Sequence, residues 1–233
     1  MKKILITIAT VWLVLGVNYG VSAWIYVADQ GDTGWQTFTY TAGPAGFSGT
    51  AGFVLSNVID NYAYSELLLD NLSQGGGGTN RGFELGNLTG FDLVGTSFAT
   101  VSSSETAINY NTYDPSKGVY LAVIQGVYNG VTTSQFSNAT GQAGTVGSIL
   151  ETEITLGAGA QFSFDWAFLG NDFSPWNDFA LFYLKGQNGI VFSEGLAQIG
   201  SAPAVPTPSS LLLLGSGLLG LLGLARKGKR RVG

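Results

Sequence analysis

The chain has 233 residues, no Cys and no His, and its 10 basic against 15 acidic residues leave a net charge of −5. Without Cys or His there is no disulfide framework, no thiolate or imidazole metal site, no cysteine nucleophile and no Ser-His-Asp arrangement. Seven cations lie near the ends (Lys2, Lys3, Arg226, Lys227, Lys229, Arg230, Arg231), so the stretch between sets only Arg81, Lys117 and Lys185 against all fifteen acids, a charge of −12 that argues against nucleic-acid binding.

Residues 1–23 have the three parts of a secretory signal: Lys2 and Lys3, an apolar run over 4–17, and small or modest residues at Val21 and Ala23. A signal peptide cleaved after Ala23 is expected, because this run is shorter than the ~20 apolar residues that cross a bilayer. From residue 24 to about 200 the composition turns to Gly, Ser, Thr, Asn and aromatics, with short apolar-polar alternations broken by turn residues. That pattern predicts strands.

In chain order the expected strands are 35–41, 52–59, 81–85, 91–101, 119–128, 149–156, 161–168, 178–185 and 189–194. The clearest is 161–168, where Phe162, Phe164, Trp166 and Phe168 fall on one face at period two and Ser163, Asp165 and Ala167 on the other. Residues 62–71 are the best helix candidate, although the run Glu66-Leu67-Leu68-Leu69-Asp70 suits a buried strand equally well. Gly75 to Gly78 read as a loop. The fold class expected is all-β, an antiparallel sandwich of jelly-roll type, followed by a C-terminal transmembrane helix.

Candidate sites cluster around the loop 170–177. Asn171, Asp172 and Asn177 lie in it, with Asp165 before and Asp178 after, an oxygen set that suits calcium. The competing reading is that Asn and Asp here cap turns. No cofactor is required by the chain's chemistry, and calcium is the one ion considered. Trp176, in a Pro-Trp-Asn-Asp context, is the candidate sugar-stacking ring unless it folds back as a lid; Tyr110, Tyr113 and Tyr128 are further aromatic candidates. Glu151 and Glu153 share a strand face at a spacing a glycosidase would use, but solubility explains such a pair better, and no catalytic residues are expected.

The last part of the chain has its own grammar. Residues 201–210 form a Pro-marked linker containing Val205, Pro206, Thr207 and Pro208. Residues 211–225 are an uncharged Leu-Gly helix suited to the membrane, and 226–233 a basic tail whose Arg226, Lys227, Lys229, Arg230 and Arg231 stop it on the cytoplasmic side. This arrangement resembles the PEP-CTERM sorting signal of Gram-negative bacteria, with Thr207 where that family carries Glu. The resemblance implies export through the inner membrane, transient membrane retention, cleavage near the proline motif by an exosortase, and delivery to the cell surface or extracellular matrix. The stretches 164–172 and 177–184 also resemble a strand pair of exported β-sandwich domains that carry such tails.

The function expected is therefore a surface-sorted structural or adhesive protein of the extracellular polysaccharide matrix, such as a biofilm, without catalysis of its own. The alternative is a carbohydrate-binding module, with or without calcium. Expected partners are the exosortase, the inner membrane in passing and extracellular polysaccharide.

Overall fold

A computed structural model describes residues 24–58, 63–74, 80–127, 129–140 and 146–200. The expected signal peptide, the Gly75 to Gly78 segment, Tyr128, the linker with Val205 to Pro208, the expected membrane helix and the basic tail lie outside these described residues. Among the described residues no helix is long and apolar enough to cross a membrane.

In chain order the elements are β1 (Ile25–Val27), β2 (Gln36–Thr41), β3 (Phe47–Asn57), β4 (Glu66–Gln74), β5 (Asp92–Leu93), β6 (Phe98–Ser102), β7 (Glu105–Thr106) and β8 (Thr112–Tyr113). They continue with β9 (Leu121–Gln125), α1 (Thr133–Thr140), β10 (Val146–Leu156), β11 (Gln161–Leu169), β12 (Phe179–Gly186) and β13 (Gly189–Ile199). One sheet runs β1-β13-β12-β3-β10-β5, the other β2-β11-β4-β9-β6, and β7 and β8 form a separate hairpin. Every pairing is antiparallel except β1 with β13.

The shared core follows from strand alternation. Phe162, Phe164, Trp166 and Phe168 of β11 all point inward, as their period-two spacing predicts, beside Leu67 and Leu69 of β4. From the other sheet come Phe53 and Leu55 of β3, Leu150 and Ile154 of β10, and Phe182 and Leu184 of β12. Phe164 meets Phe53 edge-on at 4.9 Å between ring centres and Phe182 at 5.0 Å, so one strand's aromatic face anchors both layers.

Each sheet is also covered on part of its outer face, which explains its unbroken apolar runs. Phe136 and Ala139 of α1, with Val131, cover Val54, Ile149 and Leu181. On the other sheet Ala107 and Tyr113, from the β7–β8 hairpin region, cover Leu68, Leu121, Val123, Ala167 and Leu169. Leu67, Leu68 and Leu69 therefore all find apolar neighbours, and 66–71 is a strand rather than the helix that 62–71 also suggested.

Two expectations change. Residues 81–85 are turns, because Asn80 organises them: its Oδ1 accepts the Leu85 amide at 2.9 Å, its Nδ2 donates to the Asn87 carbonyl at 2.8 Å, and Asn80 and Phe83 take positive φ. Residues 91–101 break into β5 and β6 in different sheets, where Gly95 takes a φ of 60° and the Ser97 amide turns back to Val94.

Helix α1 is not among the expected elements, yet Thr132-Thr133-Ser134-Gln135 is a capping box. The Thr132 amide donates to Gln135 Oε1 at 2.9 Å and the Gln135 amide to Thr132 Oγ1 at 3.3 Å.

Candidate functional site

The loop from β11 to β12 is tied down mainly by its own polar residues. The Gly170 amide donates to the Gly31 carbonyl at 2.8 Å, and the Gln30 amide to the Asp172 carbonyl at 3.0 Å. Asn171 braces two further segments: its Nδ2 donates to the Tyr64 carbonyl at 2.9 Å, while its Oδ1 accepts the Ile108 amide at 3.2 Å. Asp172 Oδ1 accepts the Phe173 amide of the next residue at 2.7 Å.

The five residues considered for calcium do not converge. Asn171, Asp172, Asn177 and Asp178 share the loop, but Asp165 lies four residues back from the end of β11 at Leu169, about 13 Å at strand rise. Both atoms of Asn171's amide are spent on backbone groups. Among the described residues no three or more His, Cys, Asp or Glu stand where they can hold a metal ion.

Asp172 and Asp178 are each 1% exposed and close enough to repel. Burial foremost, with the Asp172 charge adding to it, pushes Asp178 up to about 7, and the Val58 amide and Ser65 pull it only partly back. Below about pH 7 a proton on Asp178 relieves this repulsion.

The aromatic candidates separate. Trp176 is half-buried, so it is not a free ring at a loop tip. Tyr113 is buried, and its hydroxyl donates to Asp32. Tyr110 is 90% exposed at the turn between β7 and β8, with a φ of 68°. Its neighbour Ile108 is bonded to Asn171, so this turn adjoins the loop that carries the exposed Phe173.

Asp32 fixes the turn. It accepts Asn109 Nδ2 and Asn111 Nδ2, each at 2.7 Å, and the Gly34 amide at 3.1 Å, as well as the Tyr113 hydroxyl. Burial opposes ionisation of Asp32, but these bonds outweigh it and hold its pKa below the usual value.

Asp165 belongs to a different cluster, which the sequence pattern does not reveal. It lies directly across from Asp70 in the β11–β4 pairing. Ser116 Oγ is 2.8 Å from Asp165 Oδ2 and 3.1 Å from Asp70 Oδ2. One hydroxyl proton cannot serve two carboxylates fully at once, and Ser116 lies nearer Asp165 than Asp70.

The two acids are biased in opposite directions. Burial raises Asp70 despite the Lys117 and Asn71 amides. Asp165 also meets a burial penalty, but Thr37, Asn71 and Ser116, with the Lys117 charge, outweigh it and lower its pKa. A cavity of about 310 Å³ adjoins Asp70, lined also by Asn71, Glu84 and Lys117 among others. The sequence hint is an acid closing the buried run Leu67-Leu68-Leu69, but its partner depends on strand order.

Glu151 and Glu153 are both engaged. Glu151 accepts the Tyr183 hydroxyl and lies 2.6 Å from Lys185 Nζ, while Glu153 accepts Thr50 Oγ1 at 2.9 Å. Tyr183 reaches Glu151 by lying across Gly52, the residue between them in the sheet, and leaves no room there for a Cβ. No protein-family model matches this chain, and no curated protein is detectably similar to it.

Proposed function

We propose that this is an exported protein, sorted to the cell surface by its C-terminal segment, that acts as a structural or adhesive component of the extracellular polysaccharide matrix and has no catalysis of its own. The observation that carries this reading is the three-part segment of Val205 to Pro208, the Leu-Gly run 211–225 and the basic residues 226–231. It fits insertion as a transmembrane helix, retention in the inner membrane and processing by an exosortase. The strongly acidic composition of the body suits an extracellular surface and disfavours nucleic acid as a partner. We place the sandwich in the jelly-roll class; in support, the chain changes sheet at every step from β2 to β6 and again from β9 to β12.

The test is the C-terminal residue of the mature protein recovered from the cell surface, read by mass spectrometry. Cleavage near Pro206 to Pro208 is expected, and an intact Arg-rich terminus would refute sorting by cleavage.

Exposed Tyr110, beside Asn109 and Asn111 and near Phe173, favours a second reading, a carbohydrate-binding module. On this reading Tyr110→Ala weakens retention on matrix polysaccharide more than Trp176→Ala does. A chelator arm in the same pull-down decides whether calcium takes part.

A further inference from the structure

The three cations of the body are used differently. Lys185 is paired with Glu151, the only ion pair between described residues. Lys117 gives its amide to Asp70 and its charge to Asp165. Arg81 has no acid within ion-pair distance among the described residues. Its Nη2 reaches the Glu153 carbonyl at 3.5 Å, and its Nε and Nη1 are buried without a hydrogen-bond partner among the described residues. A guanidinium carries five N–H donors and keeps its charge, so leaving two of its nitrogens dry and unpaired is costly. Burial pulls its pKa down, the mark of a charge lacking compensation.

That side chain lines a cavity of about 250 Å³ together with Gly90, Phe91, Asp92, Thr152 and Glu153. The walls are held in place. Thr152 Oγ1 donates to the Gly90 carbonyl at 2.8 Å, Thr50 holds Glu153, and Phe91 lies 4.9 Å from the buried Phe83 ring. The cavity is smaller than the ~300–1,000 Å³ typical of drug-sized ligands, so it suits a single ring.

Its chemistry is mixed. A bare anion would satisfy Arg81 but face Asp92 and Glu153. A carboxylate on a polyhydroxylated ring answers both: the carboxylate meets the guanidinium at Nη2, which among the described residues is held only by its 3.5 Å contact to the Glu153 carbonyl, the hydroxyls donate to Asp92 and Glu153, and the ring's C–H surface meets Phe91.

We propose that the Arg81 cavity is a subsite for one carboxylated sugar, a hexuronate unit of an acidic polysaccharide. The proposal rests on the reading that this protein meets matrix polysaccharide, and it names the kind of sugar.

The experiment is titration of the purified full chain with methyl glucuronide, followed by calorimetry and ligand-observed NMR, with methyl glucoside and acetate as parallel probes. The glucuronide is expected to bind about 10-fold or more tightly than either probe, and Arg81→Gln to weaken it by about 10- to 100-fold, the range for losing a charge-assisted contact. Arg81→Lys, which keeps the charge without the fork, should also weaken it.

Equal binding of the glucoside, acetate binding as tightly as the glucuronide, or unchanged affinity in a folded Arg81→Gln protein would each overturn the proposal. The three-probe comparison needs no variant, so it decides even if both Arg81 variants fail to fold. If the wild type stays on the matrix but ignores glucuronide, the subsite fails and the surface reading stands. Glucuronide binding by a protein that does not stay on the matrix gives the reverse.

Discussion

Replacing Asp178 by Asn should stabilise the protein in alkaline solution and leave a much smaller effect in acid. Asp178 is 1% exposed, accepts the Val58 amide at 2.8 Å and feels the charge of Asp172. Burial is the main cause that raises its pKa from 3.8 to about 7. In the unfolded chain the group ionises near 3.8, whereas in the fold it keeps its proton until about 7, so the native state binds more protons between these values. Stability therefore falls as pH climbs from about 4 to about 7 and is level beyond.

A tenfold change in proton affinity corresponds to about 1.4 kcal/mol, which puts the full penalty at about 4 kcal/mol as an upper bound. Asn keeps an oxygen for the Val58 amide and carries no charge. Asp178→Asn is therefore expected to gain about 2 to 4 kcal/mol at about pH 8 but only about 1 to 2 kcal/mol at about pH 5. Urea unfolding followed by tryptophan fluorescence at the two pH values measures both. Glu66, which burial pushes up to about 7 with Glu105 adding to it, gives the wild type and the variant the same background slope, so their difference isolates Asp178. A gain of equal size in acid and in alkali would refute the reasoning.

Thr132→Ala removes the hydroxyl half of the capping box and should cost about 1 kcal/mol, with faster hydrogen exchange in α1 as the local readout. Gly52→Ala forces a methyl group into the Tyr183 ring and should cost about 1 to 3 kcal/mol in denaturant unfolding, while Tyr183→Phe, which removes only the bond to Glu151, should cost less. Ser116→Ala takes away the hydroxyl between Asp70 and Asp165 and should raise the Asp165 pKa, read by carboxyl-carbon NMR titration, since that carboxylate loses one of its three side-chain donors.

What is legible in the sequence depends on how local its cause is. The alternation from Phe162 to Phe168 is its own cause, because period two puts those rings on one face whatever lies opposite. The run Leu67-Leu68-Leu69 is ambiguous because its outer neighbour Leu68 is covered by the distant β7–β8 hairpin region. Residues 81–85 mislead because Asn80, just outside the apolar pattern, bends them. Helix α1 is readable from its capping box but has too little apolar periodicity to announce itself. The oxygen-rich loop stands out in the sequence, yet which carboxylates meet is set by strand order: Asp165 faces Asp70, not Asp172.

Five acids of the body fall into two groups with opposite responses to pH. Asp32 and Asp165 are hydrogen-bonded strongly enough to stay ionised, so they lend stability that is lost as pH falls through their lowered pKa values. Asp178, Glu66 and Asp70 are buried with too few donors, so they weaken the fold as pH rises. Together they place the maximum of stability in mildly acidic solution. Hydroxyls, amides and protons do most of the charge compensation, and Lys185 and Lys117 are committed to acids nearby. Arg81 is the cation left over among the described residues: it stands beside a cavity with two of its nitrogens unpartnered there, and the proposed sugar carboxylate gives that charge a counterpart.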